Sequence, residues 1–202
     1  MAFIRKDFYY KQAKEKGFRS RAYFKLKEID KKYSLLKKGQ KVVDIGCAPG
    51  GWLQYILEVL GKSGFVLGID LKDVEPFHSF QNIFLIKGDF EDGKNQSEII
   101  KKLNGKADAI LSDIAPDTTG VKFSDAAKSA LLVKKVLDFS MKILGNEGIL
   151  LVKIFAGSEL EELLKEFKDK FMQVKIVKPA SSKSQSKETY LLCKGLRTLY
   201  ED

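Results

Sequence analysis

The sequence predicts an α/β protein: a seven-stranded, mostly parallel sheet with one antiparallel strand and helices on both faces. Three observations predict it. Short runs rich in Val, Ile and Leu alternate with amphipathic segments, the pattern of repeated β–α units. Those runs are apolar almost throughout, as strands buried on both faces are. The last two, 172–178 and 188–195, have only a polar loop between them and read as a hairpin, which supplies the antiparallel strand.

The elements follow in order. Behind a basic segment, Ser20 can cap a helix that runs to about Tyr33, with an apolar face of Ala22, Leu26, Ile29 and Tyr33. Lys25 lies beside that stripe. "KVVDIG" (41–46) is a strand, and a helix from about Gly51 to Leu60 follows, stopped by Gly61. "GFVLGID" (64–70) and "NIFLIKGD" (82–89) are strands. A helix covers about 95–103, then "ADAILSD" (107–113) is a strand. A long helix spans about 123–144 on Ala126, Ala130, Val133, Val136 and Leu137. "GILLVKIF" (148–155) is a strand, and a helix at 158–170 leads into the hairpin. No repeat, low-complexity tract or linker divides the chain. One domain is expected over 1–202, carrying a basic arm and helix at about 1–38.

The chain has 202 residues, 44% hydrophobic and 31% charged, an ordinary globular composition. No apolar run approaches the length that spans a bilayer, and residues 1–21 lack the apolar core of a signal peptide. Two distant cysteines, Cys47 and Cys193, lack metal-ligand spacing and fit a reducing, cytoplasmic setting. The single histidine, His78, makes a multi-histidine metal site untenable, so no metal is expected. A monomer is expected.

Charge is placed unevenly. Of 36 Lys and Arg and 27 Asp and Glu in all, residues 1–41 hold 14 basic and 4 acidic, which leaves 22 and 23 for the rest. In "RKDFYYKQAKEKGFRSR" cations interleave with Phe8, Tyr9, Tyr10 and Phe18. Cations for phosphates and flat rings for bases suit RNA, with Arg5, Lys6, Lys11, Arg19 and Arg21 as candidate contacts. An anionic membrane fits less well, because the aromatics share no helical face.

"DIGCAPGG" (44–51) joins the first strand to its helix, where open α/β sheets bind ligands. Gly46, Gly50 and Gly51 permit tight turning, and Ala48 and Pro49 stand between them. The spacing is not G-x-G-x-x-G, which counts against a dinucleotide and an NAD-linked oxidoreductase. Asp70, Asp89 and Asp113 close the next three strands. One such Asp is commonplace at a strand end; three in succession suit a ligand with a ribose, an exocyclic amine and a positive centre. S-adenosyl-L-methionine has those parts.

"LVKIFAG" (151–157) places Lys153 inside an apolar strand, where lysine is rare unless paired. Parallel pairing brings Asp113 and Lys153 to one sheet edge. The antiparallel last strand starts there with Glu188, and Lys25 can reach over from the basic helix. A buried ion pair made for packing would explain Lys153 with Asp113 alone. Two lysines and two carboxylates at one edge suit the activation of a hydroxyl. Ordinary lysine amines are almost fully protonated at neutral pH; burial and a second ammonium push the pKa of a lysine base down, while carboxylates push it back but orient the amine.

The motifs "RSRAYFKL" (19–26), "VVDIGCAPGGW" (42–52), "GDFED" (88–92), "SDIAPDTTG" (112–120), "LVKIFAG" and "KPASSKSQSKETYLL" (178–192) together resemble the FtsJ-like ribosomal RNA large subunit 2′-O-ribose methyltransferases. The resemblance implies a Rossmann-like S-adenosylmethionine-dependent methyltransferase fold and a catalytic tetrad at Lys25, Asp113, Lys153 and Glu188, with Lys153 central. It implies cofactor contacts at Gly50, Trp52, Asp70, Asp89 and Asp113, beside the loop residues Gly46, Ala48 and Pro49. It implies ribosomal RNA, a uridine in the large subunit, as substrate. Cys47 stands where that family often has alanine. A tRNA anticodon loop or a cap is the neighbouring reading, and a non-catalytic RNA-binding relative a more distant one. After strand four the chain has "DIAP", with no aromatic to stack a base, which favours an oxygen target.

Overall fold

The computed structural model describes residues 2–181 and 187–197, with only the backbone course for 2–7 and 122. Its elements are α1 (Ala2–Glu15), α2 (Ala22–Tyr33), β1 (Lys41–Ile45), α3 (Gly51–Leu60), β2 (Phe65–Asp70), β3 (Ile83–Lys87), α4 (Gly93–Leu103), β4 (Ala107–Ser112), α5 (Lys122–Ile143), β5 (Leu144–Phe155), α6 (Leu160–Lys170), β6 (Phe171–Val177) and β7 (Glu188–Leu196). The sheet order is β3-β2-β1-β4-β5-β7-β6. The β1–β2, β2–β3, β1–β4 and β4–β5 pairs are parallel. β7 lies antiparallel between β5 and β6. Strand order reverses at β1, so the crevice outside its carboxyl end is where a ligand fits.

Apolar residues fill both faces. On one, Leu26 and Ile29 of α2 and Leu53, Ile56 and Leu57 of α3 cover Val42, Val66, Leu111 and Leu151. On the other, Val133 and Val136 of α5 and Leu163 and Phe167 of α6 cover Val43, Ile110, Leu150 and Val152. This double burial is what makes the strands near-continuously apolar. No helix among the described residues is long and apolar enough to cross a membrane.

Asp30 fixes α2, and with it Lys25. It is buried. One oxygen accepts the Leu35 and Leu36 amides at 2.7 and 2.9 Å, and the other accepts the Tyr55 hydroxyl at 2.7 Å. It thereby ends α2, turns the chain towards β1 and ties both to α3.

Three differences from expectation have local causes. The basic arm contains a helix, α1, which sequence periodicity did not reveal because rings and charges alternate without a stripe. Its Ala13 is buried and its Tyr9 ring lies 5.4 Å from that of Phe24 on α2. Ser20 does not hold the cap position of α2; Arg21 does, and Ser20 Oγ accepts the Ala22 amide at 3.3 Å. α4 starts two residues early because Asp92 caps it, accepting the Lys94 amide at 2.7 Å.

Candidate active site

The carboxyl ends of β1, β2, β3 and β4 border a cavity of about 550 Å³, lined by Gly46, Ala48, Asp70, Asp89, Asp113 and Ile114 among others. Gly46 has φ +78°, and a Cβ there would lie 2.9 Å from Ile114 Cβ and 3.0 Å from its Cα. Only glycine lets the turn pass. Asp70 is locked into the wall: its oxygens accept the Ala48 amide at 2.8 Å and the Lys72 amide at 2.9 Å. Asp89 Oδ1 accepts the Glu91 amide at 2.9 Å. Each carboxylate oxygen has two lone-pair sites, so both groups retain acceptor capacity towards a ligand.

A second cavity of about 240 Å³ shares Gly46, Ala48 and Asp113 with the first, and Lys25, Lys153 and Glu188 line it too. The four charged residues predicted from the sequence are therefore brought together. Lys153 and Lys25 are buried. Lys153 Nζ lies 3.1 Å from Asp113 Oδ1, and Lys25 Nζ lies 3.1 Å from Glu188 Oε2. Lys153 also donates to the Asp113 carbonyl. Antiparallel pairing sets Lys153 opposite Tyr190 and Phe155 opposite Glu188. The Tyr190 hydroxyl donates to Asp113 Oδ1 at 2.8 Å. Burial, and then the Asp113 charge beside it, push that hydroxyl's pKa well up, so it stays a donor. Burial alone would raise Glu188, but the Lys25 and Lys153 ammoniums outweigh it and hold the carboxyl below its ordinary value.

Asp44 was not singled out by the sequence analysis, and it is the least satisfied group in the site. It is wholly buried on β1, and neither carboxylate oxygen has a hydrogen-bond partner. It lines the smaller cavity. Burial, with Asp113 and Asp70 adding repulsion, raises its pKa well above the ordinary carboxylate value. A buried acceptor pair without donors is costly, and it makes the cavity suited to a cationic or donor-bearing ligand. The signal for it was available: Asp44 interrupts "VVDIG" as Lys153 interrupts "LVKIF". Tyr190 was also passed over, because a tyrosine in an apolar strand reads as core.

The other predicted residues divide. Pro49 and Trp52 line the smaller cavity. The Trp52 indole is buried and donates to the Ala22 carbonyl at 3.0 Å, pinning the start of α2. Gly50 lines neither cavity; a Cβ there would lie 2.9 Å from Arg19 Nη1 and 3.2 Å from Phe77. The Arg19 guanidinium turns towards the segment after β2. It sits 3.5 Å over the Phe77 ring and donates to the Glu75 and Pro76 carbonyls at 2.5 and 2.9 Å. Arg21 lines the smaller cavity and Lys11 is exposed on α1. The side chains of Arg5 and Lys6 lie outside the described residues. Of the arm's rings, Phe18 stacks on Tyr23 at 3.7 Å, while Phe8 and Tyr10 are exposed.

Both thiols are buried, and burial pushes both up in pKa. A free cysteine nucleophile is therefore disfavoured at this site. His78 is exposed on the segment after β2.

The model of the FtsJ-like methyltransferase family matches residues 18–196. The chain belongs to the FtsJ-like methyltransferase family. The matched span contains Lys25, Asp113, Lys153 and Glu188. The chain is 41% identical over 188 residues to a protein from Methanothermobacter thermautotrophicus named ribosomal RNA large subunit methyltransferase E, covering 93% of this chain and 89% of that one. A Legionella pneumophila protein of the same name is 44% identical over 190 residues, covering 94% and 91%. Among solved structures, one described as a ribosomal RNA methyltransferase from Plasmodium falciparum superposes with a TM-score of 0.78 at 34% identity, covering 89% of this chain and 98% of that one. Fibrillarin from Aeropyrum pernix, solved with S-adenosyl-L-methionine natively bound, shares the fold at a TM-score of 0.54 and 17% identity, covering 79% and 68%. The FtsJ-like fold is thus the Rossmann-like arrangement expected for S-adenosylmethionine-dependent methyltransferases.

Proposed function

We propose that the protein transfers a methyl group from S-adenosyl-L-methionine to the 2′-hydroxyl of a ribose, a uridine, in large-subunit ribosomal RNA. The observation that carries the proposal is the convergence of Lys25, Asp113, Lys153 and Glu188 on one cavity beside the glycine-rich turn.

The residues present fit the cofactor. Asp70 stands where a carboxylate can take ribose hydroxyls, and Asp89 can accept from an exocyclic amine. Asp44 supplies unpartnered acceptors for the cationic end. When bound, S-adenosylmethionine supplies an electrophilic methyl group on a sulfonium centre. The protein's own residues prepare the nucleophile. Tyr190 and Lys153 both bond Asp113 Oδ1, so that carboxylate is immobile and aims the lysine amine along the cavity wall. Lys153 Nζ orients the ribose oxygen for attack on the methyl group, and the hydroxyl gives up its proton as the oxygen attacks. The proton then leaves for water. Lys25, held by Glu188, faces the same space and favours an oxygen gaining negative charge.

The RNA reading draws on the arm, where exposed Phe8, Tyr10 and Lys11 lie on α1, and on the names of the relatives. A ribose rather than a base is favoured because the thiols are buried and "DIAP" offers no stacking ring. The proposal extends to one catalytic domain over 1–202, acting as a cytoplasmic monomer. The test uses purified protein, labelled donor and large-subunit ribosomal RNA digested to nucleosides. Label on 2′-O-methyluridine is expected. Label on a base, or none, overturns the reading.

A further inference from the structure

We propose that Lys37, Lys175 and Lys194 form a second anion-binding surface, a track that holds RNA phosphates flanking the methylated nucleotide. The inference rests on the RNA reading above and adds a place remote from the basic arm. Outside residues 1–41 the chain has almost no net charge. The fold nevertheless brings Lys194 of β7 to the carbonyl of Tyr33, just before Lys37 in the chain, with Lys175 of β6 diagonally beside it.

The geometry follows from α2 and β7 running side by side. At one end of this pair Lys25 meets Glu188 at 3.1 Å. At the other, Lys194 Nζ donates to the Tyr33 carbonyl at 2.8 Å. Glu188 and Lys194 are six residues apart on one strand and share a face, so the second site lies roughly 20 Å from the tetrad at about 3.3 Å per residue. Lys175 on β6 pairs with Leu192, and Lys194 with Gln173. Paired residues point to the same face, which places Lys175 diagonally beside Lys194. Lys175 and Lys37 are exposed. β6 is the edge strand, so the far side of this face is open.

The cluster is only partly compensated, by the buried Asp30 carboxylate. None of the three lysines forms an ion pair with a carboxylate among the described residues. Lys194 is lowered in pKa by burial first, and then by the Lys175 and Lys37 charges. Asp30 opposes this, but its oxygens already take two amides and the Tyr55 hydroxyl. Three like charges gathered from distant parts of the chain repel one another unless an anion sits among them. Point-charge ammoniums about 20 Å from the reacting centre suit phosphate oxygens, which position a nucleic acid without reading its sequence.

The test measures binding of the full chain to deproteinised large-subunit ribosomal RNA between 50 and 300 mM KCl, settings chosen to expose counterion release. Each phosphate contact contributes about 0.7–0.9 to the slope of log K against log salt. The triple variant Lys37→Gln, Lys175→Gln, Lys194→Gln is expected to lose about 2–3 from that slope, with donor affinity unchanged. Because Lys194 is half-buried, Lys175→Gln is measured alone: a loss of about 0.7–0.9 is expected, restored by Lys175→Arg. Slopes equal to the parent's in both variants overturn the track, including in favour of an acidic protein partner. If the parent methylates the RNA while the slopes are unmoved, only the track fails. If the parent binds no ribosomal RNA, the functional reading fails with it.

Discussion

Asp44→Asn should make the ligand-free protein more stable and worse at holding its cofactor. The side chain is wholly buried, with both oxygens unpartnered. Asparagine has nearly the same shape and no charge. Relief of one unsatisfied buried acidic group amounts to about 1–3 kcal/mol. For a domain of this size that is a rise in Tm of roughly 2–12 °C, at about 2–4 °C per kcal/mol. The pH dependence has a definite sign. The folded pKa is raised above the ordinary carboxylate value, so the folded protein keeps a proton that the unfolded chain releases, and stability falls as pH rises from acid towards neutrality. The Tm gap between variant and parent should therefore be small at pH 4 and widen towards pH 7 (pH values chosen to bracket that release). With cofactor, loss of a charge-assisted hydrogen bond of about 1.5–3 kcal/mol weakens binding by roughly 10- to 150-fold. Thermal melts over pH, with and without S-adenosylmethionine, and calorimetric titration measure both effects. A variant less stable than the parent without ligand, or one that binds the cofactor equally well, refutes the reasoning.

Three other outcomes are expected. Arg19→Ala removes two hydrogen bonds to carbonyls and the contact with Phe77, at a cost of about 1–3 kcal/mol. Arg19→Lys should not restore it, lacking the planar fork. A melt unchanged from the parent, together with weakened RNA binding, would instead assign Arg19 to the RNA. Asp30→Ala strands two amides and a tyrosine hydroxyl; a loss of about 2–5 kcal/mol in denaturant unfolding is expected, with kcat reduced because α2 carries Lys25. Glu188 titrates in the opposite sense to Asp44. Its pKa is held below the ordinary glutamate value, so its contribution is complete above that value and is lost as pH falls through the folded pKa. Glu188→Gln should flatten the acid limb of the stability curve, and an unchanged limb would count against the pairing with Lys25.

Strand directions, and with them the shared edge of Asp113, Lys153 and Glu188, were legible because they depend on direction alone. Once β4 and β5 are parallel and β7 returns between β5 and β6, Asp113, Lys153 and Glu188 must share an edge whatever their side chains do. What was illegible depends on contacts between distant segments. Arg19 reads as a phosphate ligand in sequence, yet its partners are the carbonyls of Glu75 and Pro76, which no local pattern announces. Tyr9 and Phe18 read as stacking rings and instead pack on α2. α1 escaped because its fourteen residues have no apolar stripe. Asp44 was hidden by its neighbour: the glycine turn that begins two residues later drew the chemical reading, although a charge in the preceding strand carries the same kind of signal as Lys153. The lysine track needed the register of β6 on β7, which is invisible until the hairpin forms.

Single-turnover methyl transfer to large-subunit ribosomal RNA by Lys153→Ala, with cofactor and RNA affinities measured on the same sample, tests the central claim most directly. Transfer abolished with both affinities close to the parent's is the expected result. Transfer at the parent's rate would show that the amine in β5 does not act on the ribose oxygen.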